Sequence, residues 1–65
     1  MSWSELPPEL RELAERVCTP KELEALKARE AGAGYRRIAL MLDISVSSAR
    51  DRVQRALAKL ERELR

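Results

Sequence analysis

The segment YRRIALMLDISVSSARDRVQRALAKL, residues 35–60, contains two stretches of helical spacing separated by a short polar break. Asp43 and Ile44 form a predicted tight turn, and Ser45 is a favourable N-cap for a second helix that continues without Gly or Pro. The residues of the first stretch that we expect to face inward are Ile38, Ala39 and Leu42. The segment therefore predicts a short helix, a turn and a long helix.

The long helix has two contrasting faces when it is drawn at about 100° per residue. Its predicted inward stripe consists of Ala49, Val53, Ala56, Leu57, Leu60 and Leu64. The opposite face presents the polar side chains of Ser47, Ser48, Asp51, Gln54 and Arg55. A short helix followed by a long helix with a polar, basic outer face is the helix-turn-helix arrangement, in which the second helix enters the major groove of DNA.

The residue types on that outer face match the chemistry of base edges. Arg55 can pair with guanine, Gln54 with adenine, and Asp51 can accept from the amino group of cytosine, while Ser47 and Ser48 are short enough for close approach. A second group is predicted to contact phosphates: Tyr35, Arg36, Arg37, Arg50 and Arg52.

Two further helices are predicted before this segment. Thr19-Pro20-Lys21-Glu22 has the form of a capping box with proline at the first helical position, and Gly32 suits the left-handed residue that ends a helix. Leu6, Leu10, Leu13 and Val17 form the apolar stripe of an earlier amphipathic helix. We expect an all-α, compact four-helix domain over 1–65, with helices at about 7–18, 20–31, 35–42 and 46–63.

Composition limits the classes of function. A chain of 65 residues forms one small domain with no room for an enclosed substrate cavity. It has no His and a single cysteine, Cys18, so we expect no disulfide, no metal site, no cofactor and no enzymatic activity. Cys18 is predicted to be a small buried apolar residue.

Charge is distributed unevenly along the chain. Residues 1–18 carry four Glu against two Arg, whereas residues 35–65 carry eight basic side chains against four acidic ones. This pattern is typical of a protein with one face on a polyanion, although a solvated helical surface is the alternative. The chain has no signal peptide or membrane span, and it begins at Met1, so we expect a complete small cytoplasmic protein.

The spacing of several residues resembles that of a known family. The run Thr19-Pro20-Lys21-Glu22-x-Glu24-Ala25-Leu26, followed by Gly32, Ile38-Ala39, Leu42, Ile44-Ser45, Val53 and Lys59-Leu60, is similar to LuxR/GerE-type DNA-binding domains. The same residues resemble region four of bacterial sigma factors. The similarity to sigma region four is greater still at Ile44-Ser45-Val46, Arg52, Arg55-Ala56 and Leu60. Sigma region four has a helix before the capping box, as this chain is predicted to have. LuxR-type domains have a further helix after the recognition helix, and this sequence ends before one could form, so the resemblance favours the sigma branch. The chain lacks the promoter-melting region of a complete sigma factor.

Three residues depart from the family pattern. Asp43 stands where the family has a left-handed Gly, a conformation that Asp tolerates. Arg37 replaces the usual Glu, which changes a surface partner or adds a phosphate contact. Asp51 places a negative charge on the predicted reading face, where it either specifies cytosine or repels DNA.

These features predict a small sequence-specific DNA-binding transcriptional regulator of bacterial or phage origin. The alternative is a protein-interaction module with the same fold that binds RNA polymerase or another transcription regulator. Because a single module makes few DNA contacts, we expect a homodimer or a protein partner. Most of the terminal apolar stripes are expected to pack within the chain, leaving Leu60 and Leu64 available to a partner. Residues considered for that seam are Leu57, Leu60, Leu64 and Trp3, with Trp3 alternatively a lid on the core beside Leu6.

Overall fold

Four α-helices account for most of residues 3–65, the part of the chain that this computed structural model describes apart from the side chain of Ser4. The helices are α1 (Pro8–Val17), α2 (Pro20–Glu30), α3 (Tyr35–Leu42) and α4 (Val46–Glu63), preceded by a 3-10 turn at Trp3–Glu5. No strand occurs among these residues, which confirms the all-α prediction. The predicted bounds differ by one residue at both ends of α1 and at the end of α2. The first two residues of the predicted domain lie outside the described range.

The helix ends follow the predicted local signals. The Thr19 hydroxyl accepts from the Glu22 backbone N–H at 3.2 Å, and the Glu22 carboxylate accepts from the Thr19 N–H at 3.0 Å, so the capping box is confirmed. Gly32 follows the C-cap residue of α2 and has φ of 103°, a value that disfavours any side chain. It therefore marks the end of α2, as expected.

The buried side chains form two clusters, and α2 and α4 contribute to both. The rear core consists of Ala14, Cys18, Leu26, Ala56 and Leu60. The front core consists of Ala25, Ile38, Ala39, Ala49 and Val53. Alanine supplies many of these positions, which lets the helix backbones approach closely. The rear core joins α1, α2 and α4, and the front core holds α3 against α2 and α4.

Two predictions about the apolar stripe of α4 are wrong. Leu57 and Leu64 belong to the predicted inward stripe, but they are 45% and 66% exposed, which for Leu64 agrees with the expectation that it stays available to a partner. Leu60 was expected to remain available to a partner, but it is only 8% exposed within the rear core. The reason is that α4 buries a narrow strip centred on its alanines, and Leu57 and Leu64 lie beside that strip.

The N-terminal segment packs onto the rear core. Leu10, Leu13 and Val17 are half-buried against it, and the fully buried residue of α1 is the smaller Ala14. Trp3 also packs there, as expected for a lid, and the Lys27 ammonium lies 5.4 Å from the centre of its ring. The 3-10 turn that presents Trp3 was not predicted.

A partly buried ion pair ties the start of α2 to the far end of α4. Lys59 Nζ lies 2.7 Å from Glu22 Oε1, and the Glu22 side chain is almost fully buried. The hydrogen bond from Lys59, followed by that from the Thr19 backbone, lowers the pKa of Glu22. The capping glutamate therefore also fastens two helices together, a role that the sequence did not reveal.

Cys18 is buried in the rear core, as predicted, and its Sγ lies 3.9 Å from the Ala56 carbonyl oxygen. Burial raises the pKa of the thiol, and the nearby Glu22 carboxylate raises it further. The neutral thiol is the stable form, which agrees with a packing role.

Candidate nucleic-acid interface

The connection between α3 and α4 is three residues long and has a defined backbone. Asp43 adopts the left-handed conformation, with φ of 55° and ψ of 51°, as predicted. The Ile44 N–H then donates to the Ala39 carbonyl at 3.0 Å, and the Ile44 side chain packs against the front core. These contacts fix the direction in which α4 leaves α3.

Ser45 caps α4 and gathers two of the predicted base-reading side chains. Its hydroxyl accepts from the Ser48 backbone N–H at 3.1 Å, which confirms the predicted N-cap. The same hydroxyl donates to the Ser48 hydroxyl at 2.8 Å and lies 3.2 Å from that of Ser47. Both Ser47 and Ser48 remain exposed, so the start of α4 presents a small hydroxyl cluster.

The five predicted base-reading residues, which we call the reading face, all lie on the exposed surface of α4. They are Ser47, Ser48, Asp51, Gln54 and Arg55. The structure pairs two of them, because Arg55 Nε lies 3.1 Å from Asp51 Oδ2 and both side chains are more than half exposed. An exposed pair at this spacing is worth only about 0.3–0.5 kcal/mol. Arg55 can therefore leave Asp51 for a stronger acceptor.

The predicted phosphate-contacting residues do not form a single group. The Arg50 guanidinium lies 5.5 Å from the centre of the Tyr35 ring, so α4 and the start of α3 meet there. Arg36 lines an open groove of about 460 Å³ with Leu40 and Val46. The remaining two are Arg37, which lines a different groove, and the half-buried Arg52.

The structure also reveals features that the sequence reasoning missed. The Arg29 guanidinium, at the end of α2, lies 5.2 Å from the centre of the Tyr35 ring. Its only sequence signal was a basic residue in the last turn of a helix. Leu40 and Met41 are 84% and 61% exposed. The helical period of α3 could have indicated this, because inward-facing Ile38 and Leu42 leave both residues on the outer side.

The residues considered for a dimer or partner seam do not share one exposed surface. Leu57 and Leu64 are exposed on the edge of α4, whereas Leu60 lies inside the rear core and Trp3 packs against it. A seam that includes Leu60 is therefore excluded without opening the core. Leu57 and Leu64 alone remain for such a contact.

Comparison of the chain with protein-family models, with curated proteins and with solved structures finds no match. The resemblance to sigma region four and LuxR-type domains therefore rests on the residue spacing alone. In residues 3–65, no three His, Cys, Asp or Glu side chains lie close enough to hold a metal ion. Within the same range, no helix is both long and apolar enough to cross a membrane.

Proposed function

We propose that this chain is a small sequence-specific DNA-binding transcriptional regulator, of the helix-turn-helix type, that places the front half of α4 (residues 46–55) in the major groove. The observation that carries the proposal is the contrast between the two sides of that half-helix. Ala49 and Val53 are fully buried, while every residue of the reading face is exposed and polar. A helix held this way presents short and charged groups to a groove about 12 Å wide.

Charge supports the same orientation. Arg36, Arg37 and Arg50 are exposed on α3 and the front half of α4, whereas the exposed face of α1 carries Glu9, Glu12 and Glu15. A duplex would approach the first surface and be repelled by the second. The two surfaces therefore give the domain a preferred direction toward DNA.

The pair between Asp51 and Arg55 fits a reading role. In the absence of DNA each side chain satisfies the other at low cost. Beside a G·C pair, Arg55 can turn to the guanine O6 and N7 while Asp51 accepts from the cytosine amino group. Replacing the Asp51–Arg55 ion pair by contacts with a G·C base pair would favour G·C at that position. Sequences that place a hydrogen-bond acceptor opposite Asp51 would be disfavoured.

A second candidate function is protein binding, and the apolar surface of α3 favours it. Leu40 and Met41 are exposed in adjacent positions, and the groove beside Leu40 is lined by Ile44 and Val46. Such a surface suits RNA polymerase or another transcription regulator. The two functions are compatible, because a module of this size needs a homodimer or a protein partner to bind DNA tightly. As a regulator of bacterial or phage origin, the protein would act in the bacterial cytoplasm.

Selection of binding sites from a random duplex pool at about 0.15 M salt tests the proposal, since non-specific phosphate attraction is weakened there. An enriched inverted repeat would indicate a dimeric regulator, and a single asymmetric site would indicate a monomer or a tethered module. A folded protein that enriches no sequence would overturn self-sufficient DNA reading and leave protein binding as the function.

A further inference from the structure

Three helices bring one aromatic ring and two guanidinium groups together. Tyr35 begins α3, and the Arg29 and Arg50 guanidinium carbons lie 5.2 Å and 5.5 Å from the centre of its ring. Arg29 comes from the last turn of α2 and Arg50 from the second turn of α4. The two positive groups are therefore within about 11 Å of each other.

No carboxylate among the described residues pairs with either guanidinium. The ion pairs in residues 3–65 join Asp51 to Arg55, Glu22 to Lys59 and Glu61 to Arg65. Two like charges repel each other. Their separation is comparable with the Debye length of about 10 Å at 0.1 M salt, so salt screens this repulsion only in part. Stacking of both cations on the half-buried Tyr35 ring partly offsets this repulsion. The arrangement is one that a bound anion would stabilise.

The donors of the cluster are mostly available. Arg29 uses one N–H to donate to the Ala33 carbonyl at 3.1 Å, which orients the guanidinium and leaves its other donors unused by that bond. Gly34, the N-cap of α3, makes no side-chain capping bond, and the first turn of α3 contains no acidic residue. The positive end of the α3 dipole therefore adds to the field of the two arginines.

We propose that Arg29, Tyr35 and Arg50 form a clamp for one phosphate group of the DNA backbone. The proposal rests on the proposed function, because the anion is a phosphate of the duplex that α4 reads. The flexible arms of the two arginines bring both guanidinium groups onto that phosphate, and the Tyr35 hydroxyl can donate to it. Since phosphate contacts set the register of a protein on DNA, the clamp would fix how α4 enters the groove. Arg29 extends the interface beyond the α3–α4 segment.

The test compares Arg29→Gln with Arg16→Gln. Both arginines are exposed in the last turn of a helix, so the two variants lose the same charge, but Arg16 lies on acidic α1. Affinity for a short mixed-sequence duplex is measured between about 0.05 and 0.2 M salt. Each neutralised phosphate steepens the slope of log affinity against log salt by about 0.9. Because Arg50 still contacts the same phosphate, we expect Arg29→Gln to lose part of that increment and about tenfold in affinity at low salt. Arg16→Gln should match the wild type.

Arg29→Lys separates the clamp from a structural role, because lysine keeps the charge but loses the planar fork. It should recover most of the salt slope, and thermal unfolding of each variant verifies that the fold is intact. Equal slopes for Arg29→Gln and Arg16→Gln, with wild-type protein that binds DNA, would overturn the clamp and leave the proposed function standing. Wild-type protein that binds no duplex would overturn both.

Discussion

The two halves of α4 use the same residue types for different purposes. The front half (residues 46–55) buries Ala49 and Val53, and Arg50 on its edge has no carboxylate partner among the described residues. In the rear half (residues 56–63), Leu60 is buried and Lys59 is paired with the buried Glu22. Two basic residues of a single helix thus differ: Arg50 is available to a partner, whereas Lys59 is committed to the fold.

The location of the charges explains this division. The rear half of α4 crosses the start of α2, where the capping carboxylate is already shielded from water and needs a cation. The front half crosses the end of α2, where Arg29 presents another positive charge. Positive charge on a helix indicates a binding surface only where the neighbouring helix does not neutralise it. Each of the following changes tests one side of this contrast.

Leu60→Ala should produce the largest effect. It leaves a cavity in the rear core, and we expect a loss of about 2–4 kcal/mol in the free energy of unfolding. Leu57→Ala is the matched control, because the same truncation at an exposed position should cost less than about 1 kcal/mol. Urea denaturation measures both. Equal losses would mean that Leu57 is covered, for example by a second copy of the chain.

Arg50→Gln should weaken duplex binding about tenfold without lowering the midpoint of thermal unfolding, because Arg50 is exposed and has no carboxylate partner. Lys59→Gln should lower the midpoint of thermal unfolding and leave duplex affinity nearly unchanged, since it removes the partner of Glu22. Fluorescence anisotropy with a labelled duplex and thermal melts of both variants give the comparison. A loss of affinity in Lys59→Gln equal to that in Arg50→Gln would contradict the division of α4.

Glu22→Gln should lower the free energy of unfolding by about 1 kcal/mol at pH 7, because glutamine can still cap α2 but cannot balance Lys59. The pKa of Glu22 is lower in the folded than in the unfolded state. Its contribution is therefore complete above the ordinary value of 4.5 and disappears as the pH falls through the folded value. Denaturation of both proteins across acidic pH should show the difference shrinking below about pH 4.5. Glu24→Gln, exposed on the same helix, should show no such change.

Asp51→Asn should have the smallest effect, and it should strengthen duplex binding where Arg50→Gln weakens it. Removal of the carboxylate releases Arg55 and one negative charge, so mixed-sequence duplex should bind roughly three- to fivefold more tightly. Preference for the selected site should decrease. Glu61→Gln provides the control, because Glu61 and Arg65 form a pair of the same spacing, at 2.9 Å, near the end of α4. A gain of the same size there would mean that net charge alone sets the affinity.

The sequence predicted the helices well because their ends depend on local groups. The Thr19–Glu22 box, Gly32, Asp43 and Ser45 act within a few residues, and each has the predicted conformation or hydrogen bond. The exposure of Leu57 depends instead on how far a neighbouring helix reaches around α4. Periodicity identifies a stripe but does not give its width.

Only the part of the candidate site that lies on one helix was predicted from the sequence. The reading face follows from the period of one helix, and all five of its residues are exposed as expected. The contacts of Tyr35 with Arg29 and Arg50, and of Glu22 with Lys59, join residues on different helices. Such contacts depend on the packing of α2 against α3 and α4, which local spacing does not encode.

Amide NMR of the labelled protein during titration with the selected duplex tests the central claim most directly. It reports each residue of both halves of α4 in one experiment. We predict shift changes in the front half of α4, the turn at Asp43 and the first turn of α3, with α1 and the rear half of α4 unchanged. Changes centred on α1 or on the rear half, or no changes with duplex in excess, would contradict the assignment of the front half as the DNA-binding surface.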